Sequence, residues 1–207
     1  MKIILLHGLF MNKIIMAPLA NRLETLGYQV ENISYPSTKA DKARLFKTVD
    51  RLIGEGPTIL LGHSLGGLVI TEYLFTQKIS IEKVPLVITI GTPHQGARIA
   101  KDMEKFKIDK LLGSSVQFGL LPKKYQKQWP VPQQLISIAG NVKIGARPLL
   151  DRVWGEEVEE SDGTVSIAET KIPGMTEHIV VKQSHTSMVY SREVVRIIHQ
   201  KASRYLS

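Results

Sequence analysis

Six short, apolar, β-rich segments recur along this chain, at Ile3–Leu6, Val30–Ser34, Thr58–Leu61, Leu86–Ile90, Leu135–Ala139 and Ile179–Val181. A near-continuous apolar strand has no polar side to show to water, so both of its faces must be covered. Helical patterns separate most of these segments. Ile15, Leu19, Leu23 and Leu26 recur at helical spacing within residues 14–26 and stop at Gly27. Asp41 suits the N-cap of a second helix through Leu45, Val49, Leu52 and Ile53 to Gly54. A third helix follows Ser64, and a last one uses Met188, Val194, Val195, Ile197 and Ile198. Strands alternating with helices in this way predict a mostly parallel six-stranded sheet, right-handed crossovers, and helices on both faces.

The 207 residues are expected to form a single domain, residues 1–207. Apolar residues at 43% and charged residues at 22% are ordinary for a globular chain and exclude a disordered one. No run approaches the roughly 20 apolar residues that span a bilayer. His7-Gly8 ends the opening segment Met1-Lys2-Ile3-Ile4-Leu5-Leu6 too early for a secretion signal, so it reads as the first strand and the expected location is cytoplasmic. Without cysteine there is no disulfide, thiolate metal site or thiol nucleophile.

A net charge of +8 raises the possibility of nucleic acid, but 6% aromatic residues and no basic helix-turn-helix argue against that partner. The charge is also uneven. Residues 98–127 carry eight Lys or Arg against three acids, and residues 151–162 carry six acids against Arg152. Residues 96–132 and 141–161 stand outside the strand–helix alternation. The first stretch, 96–132, is expected to be a cap or lid insertion over the carboxyl edge of the sheet, where open α/β folds place ligands. Its helix sets Ile99, Met103 and Phe106 on one face with Lys101, Lys105 and Lys107 around them, which suits either a solvated basic loop or transient contact with an anionic lipid surface.

The chemistry centres on Gly62-His63-Ser64-Leu65-Gly66, directly after the apolar run Thr58–Leu61. The pattern G-x-S-x-G arises by chance in about one chain in fifteen of this length, so its setting matters more than its presence. Between a buried strand and a helix, the serine occupies a sharp turn with its hydroxyl exposed, and a Cβ at either glycine would strike a neighbouring element. A hydroxyl at neutral pH is a weak nucleophile; Ser64 needs a base, and the base needs an acid to orient it.

His185, just past the last strand, is the expected base. His7 and His63 flank glycines at strand ends and read as structural, His178 opens its strand at the wrong end, and His199 reads as a helix-surface residue. His94 reads as a packed hinge at the base of the cap. Asp162, in Ser161-Asp162-Gly163, is the expected acid, with Asp151 the second candidate. The acids Glu156, Glu157, Glu159 and Glu160 just before it would favour protonated His185 and hence an alkaline activity optimum; the alternative is that they point to solvent and are screened. The oxyanion donors are expected to be the backbone N–H of Leu65, at a helix amino end, and that of Leu9, with Phe10 as the alternative.

His7-Gly8-Leu9, Gly62-His63-Ser64-Leu65-Gly66-Gly67, Gly91-Thr92-Pro93-His94-Gln95-Gly96, Ser161-Asp162-Gly163-Thr164-Val165 and His185 together resemble the small bacterial lipases and esterases of the α/β-hydrolase fold. The match runs in order along most of the chain and is vague in residues 98–132 and 141–160. It implies a minimal α/β-hydrolase that lacks two leading strands, with Ser64 as nucleophile, Asp162 as acid, His185 as base, and Leu9 and Leu65 as oxyanion donors. The expected activity is hydrolysis of small-molecule acyl esters through an acyl-serine, with no cofactor and no metal. The alternatives are an acyl-thioesterase or acyltransferase using the same triad, or a lipid- or partner-binding module without turnover.

Overall fold

In the computed structural model, which describes residues 1–96, 118, 128–144 and 160–205, six strands join in one sheet. They are β1 (Lys2–Leu6), β2 (Gln29–Ile33), β3 (Thr58–His63), β4 (Leu86–Ile90), β5 (Gln134–Gly140) and β6 (Glu177–Val181). Their order across the sheet is β2-β1-β3-β4-β5-β6, and every pairing is parallel. The four helices among the described residues are α1 (Lys13–Thr25), α2 (Lys42–Ile53), α3 (Leu65–Gln77) and α4 (Arg192–Ala202). The expected α/β-hydrolase architecture is present.

Strand side chains alternate between faces, and this alternation divides the core in two. Ile3 and Leu5 of β1, with Ile59 and Leu61 of β3, pack against Met16, Leu19 and Leu23 of α1 and Val194 and Ile198 of α4. Ile4, Leu6 and Leu60 face the other way, onto Leu45, Phe46 and Val49 of α2 and Leu68, Val69 and Tyr73 of α3. Each buried Leu or Ile contributes roughly 1.5–3 kcal/mol by leaving water. The outer strands are the least apolar, since edge strands need only partial cover. Glu31 and Asn32 sit half-buried in β2, and Val180 of β6 is exposed.

Helix starts follow their caps. Asn12 Oδ1 accepts the Ile14 amide at 2.9 Å and so begins α1, and Asp41 Oδ1 accepts the Arg44 amide at 3.0 Å at the head of α2, as predicted. The final helix starts later than its apolar spacing predicts. Ser191 is extended and its Oγ caps the Val194 amide at 3.3 Å, so Met188 lies instead in a separate 3-10 turn, Ser187–Tyr190. No helix among the described residues is long and apolar enough to cross a membrane.

The strand order positions the site. From β1 the chain moves to β2 on one side and then returns to β3 on the other, with α1 and α3 packed on opposite faces. The carboxyl ends of β1 and β3 therefore lie where the connections part to opposite faces, the usual ligand position of an open α/β sheet. His7-Gly8 and His63-Ser64 are the residues that open there.

Candidate active site

Ser64 is the hinge between β3 and α3, with φ 54° and ψ −122°. A side chain at positive φ costs on the order of 1–3 kcal/mol, and the surroundings hold it there. The Ser64 amide donates to the Ile90 carbonyl at 2.8 Å, and its own carbonyl accepts from Thr92 Oγ1 at 2.9 Å. The two motif glycines permit the turn as expected. A Cβ on Gly62 would lie 2.4 Å from the Gly67 amide nitrogen, and one on Gly66 would lie 2.1 Å from the Leu6 carbonyl oxygen of β1.

The segments after β5 and β6 bring Asp162 and His185 together. His185 Nδ1 lies 2.6 Å from Asp162 Oδ2, and the His185 amide donates to the Asp162 carbonyl at 2.9 Å. Asp162 is wholly buried, and its other carboxylate oxygen, Oδ1, accepts the amides of Thr164 at 2.9 Å and Val165 at 2.8 Å. These two donors fix the orientation of the Asp162 carboxylate. Gly140, which sequence reasoning passed over, makes room for the pair. Its Cβ would lie 2.9 Å from Asp162 Cβ and 2.3 Å from the Gln183 carbonyl oxygen. A glycine ending an otherwise apolar strand was the available signal.

The pair lies against the residue that precedes the serine. His63, the residue before Ser64, has its ring 4.8 Å from that of His185. Ser64 Oγ itself has no hydrogen-bond partner among the described residues. On the other side, a Cβ on Gly8 would come within 3.0 Å of Ser64 Cβ, which sets the His7–Phe10 loop against the serine. In that loop the Phe10 amide is taken by Ser37 Oγ at 3.1 Å. The Leu9 and Leu65 amides have no acceptor among the described residues. Of the two loop amides, the one without an acceptor among the described residues is that of Leu9.

The remaining histidines are held by local partners. His7 stacks on Tyr35 at 4.3 Å, with Nδ1 donating to the Gly8 carbonyl at 2.9 Å. His178 pairs with Thr170 Oγ1 at 2.9 Å. His199 differs from its expected surface role, because it is half-buried and bonds Tyr28 Oη through Nδ1 at 2.9 Å. His94 is 2% exposed, bonded to Thr89 Oγ1 at 3.0 Å and edge-on to Trp129 at 6.1 Å. Asp151, Glu156, Glu157, Glu159 and the cap residues Ile99 to Lys107 lie outside the described residues. Glu160 is exposed, and Phe118 and Trp129 from the 96–132 stretch are buried in the core.

Burial, with the His185 charge as a further cause for His63, pushes both His63 and His94 down to about 3. In the unfolded chain each titrates near 6.5, so below that pH the unfolded state takes up protons that the folded state refuses. Their contribution to stability is complete above pH 6.5 and declines from there toward pH 3, at up to about 1.4 kcal/mol per pH unit for each. The melting temperature should therefore fall steeply between pH 6.5 and 4.5. His94→Gln should flatten that slope, whatever it does to the melting temperature at pH 8. An unchanged slope would remove His94 from this account.

Comparison with known proteins agrees with the architecture. A family model described as the PGAP1-like alpha/beta domain matches residues 50–202. No curated protein matches the chain. Among solved structures, the mature form of Bacillus licheniformis lipase BlEst2 is 20% identical and superposes with a TM-score of 0.70, covering 97% of this chain and 91% of that one. The pyrethroid hydrolase PytH is 17% identical with a TM-score of 0.67, covering 98% and 97%. A monoglyceride lipase from Saccharomyces cerevisiae is 12% identical with a TM-score of 0.66, covering 100% and 85%. At such identities the likeness is one of fold.

Proposed function

The chain belongs to the family of the PGAP1-like alpha/beta domain, and we propose that it is a serine hydrolase acting on carboxylic esters. The observation that carries this reading is the buried Asp162–His185 pair, 2.6 Å apart, set against the residue that precedes a serine held at φ 54°. In the proposed reaction the Ser64 hydroxyl adds to the ester carbonyl carbon as His185 Nε2 takes its proton. Asp162 holds Nδ1 and offsets the charge of the imidazolium. The oxyanion is received by the Leu9 and Leu65 amides, which have no other acceptor among the described residues. Collapse of this intermediate breaks the bond to the leaving alcohol, which takes the proton back from His185. Water then repeats the sequence on acyl-Ser64 and releases the acid. Hydrogen bonds of this kind commonly tighten only with substrate bound, and a free Ser64 Oγ before then is compatible with the scheme.

The test is turnover on a series of p-nitrophenyl esters of increasing acyl length, with matched thioesters. Turnover of the oxygen esters is expected. Turnover confined to thioesters, or acyl transfer to an added alcohol in place of hydrolysis, would replace ester hydrolysis with one of the two alternatives using the same triad.

The substrate is proposed to be amphiphilic. The three most exposed large apolar side chains among the described residues, Ile14 (73%), Ile144 (71%) and Phe10 (62%), all lie on segments past the carboxyl ends of β1 and β5, the edge that carries Ser64. With the basic cap sequence, they suit an anionic amphiphile surface. Hydrolysis of one ester carried in anionic vesicles should exceed that in neutral vesicles, and the excess should vanish at high salt. Equal rates on both surfaces would refute the contact.

A further inference from the structure

His63 is the last residue of β3, directly before Ser64, and its side chain is wholly buried. Its Nε2 lies 3.0 Å from the main-chain carbonyl oxygen of His185. A carbonyl only accepts, so Nε2 must carry the proton. Nδ1 faces Gly8, whose Cβ would lie 3.2 Å away, and has no hydrogen-bond partner among the described residues. An unpartnered acceptor buried in this way costs about 1–3 kcal/mol. Packing alone does not explain such an arrangement, because an apolar ring of the same shape would avoid that cost.

The position of the bond does explain it. His185 is joined to Asp162 at two points, ring to carboxylate at 2.6 Å and amide to carbonyl at 2.9 Å. Those bonds orient the base against its acid, but they leave the distance from the base to the serine open. The bond from His63 ties the main chain of His185 to the residue that precedes the serine, 122 positions away in sequence.

We propose that His63 is a positioning residue: as a neutral Nε2–H donor to the His185 carbonyl, it sets the place of the base relative to Ser64. This rests on the serine-hydrolase reading above. The environment suits a group that must stay uncharged, since burial and the adjacent His185 both disfavour a proton on Nδ1. A cation there would oppose the positive charge that His185 acquires during attack.

Two substitutions separate a donor from a shape. His63→Phe keeps a planar ring and removes the donor; His63→Gln keeps an N–H at similar reach. On a short soluble ester, His63→Phe should lower kcat about 10- to 100-fold, the cost of a base misplaced by about an ångström. KM should stay within about twofold, because no substrate contact is lost. Labelling of Ser64 by a fluorophosphonate should slow by a similar factor. His63→Gln should restore most of the lost kcat. The role is refuted if kcat of His63→Phe stays within threefold of wild type, or if the two variants lose activity equally while remaining folded by circular dichroism.

A measurement on the unaltered protein stands independently of variant folding. Imidazole nitrogen chemical shifts must show His63 as the neutral Nε2–H tautomer from pH 5 to 9, and an Nδ1–H tautomer or a charged ring in that range would overturn the proposal. Ser64→Ala run alongside distinguishes the two levels. Activity surviving there removes the parent reading, whereas its loss there with full activity in His63→Phe removes only the role of His63.

Discussion

Ser64→Ala should lose kcat on the order of 10⁶-fold, the scale seen when a triad nucleophile is deleted, with no loss of folded protein. The second half follows from where the serine is anchored. Its structural hydrogen bonds run through the main chain, from the amide to Ile90 and from Thr92 to the carbonyl, and alanine keeps both. Alanine also keeps the backbone strain at φ 54°, so the melting temperature should barely move. Ser64→Gly should be as inactive but more stable. Glycine accepts this conformation freely, and relief of about 1 kcal/mol would raise the melting temperature of a chain this size by about 2–4 °C. Kinetics on purified variants beside thermal melts would check both halves. Residual activity above a small fraction, or a glycine variant no more stable than alanine, would contradict the strained-nucleophile account.

Asp162→Asn should reduce kcat on the order of 10⁴-fold by fixing His185 in the wrong tautomer. The local geometry makes this outcome specific. Oδ1 already accepts two main-chain amides, from Thr164 and Val165, and an amide nitrogen in that place would meet two donors. The asparagine must therefore keep its oxygen there and present its NH₂ to His185 Nδ1. That ring nitrogen then has to accept, which moves the ring proton to Nε2, the atom that must receive the proton of Ser64. KM should change little. A variant retaining a tenth of wild-type kcat would show that the acid lies elsewhere, with Asp151 the next residue to test.

What could be read from the sequence was whatever is encoded over short spans. The turn at Ser64 was legible because strand, glycines and helix are contiguous, and the Asp41 cap because a cap and its helix are neighbours. Asp162 and His185 could be singled out from their order and from the strand ends they follow, and the fold brings the two side chains together. Contacts made across the fold were not. His63 reads as structural because nothing near it in sequence announces the His185 carbonyl. The partner of His199, Tyr28, is 171 residues away, so a half-buried histidine reads as a surface one. Ser37 takes the Phe10 amide across 27 residues, and only that bond singles out Leu9 as the free donor. The start of α4 differs from the sequence expectation because apolar spacing carries back through Met188, whereas the Ser191 cap begins the helix only at Arg192.

The most direct test of the account is the site of covalent labelling. Folded protein is treated with a fluorophosphonate, its intact mass is measured, and the modified peptide is sequenced by mass spectrometry. The account predicts one adduct per chain, on Ser64, formed quickly in the wild type, strongly slowed in Asp162→Asn and absent in Ser64→Ala. An adduct on another residue, or ester hydrolysis by protein that never labels at Ser64, would contradict it.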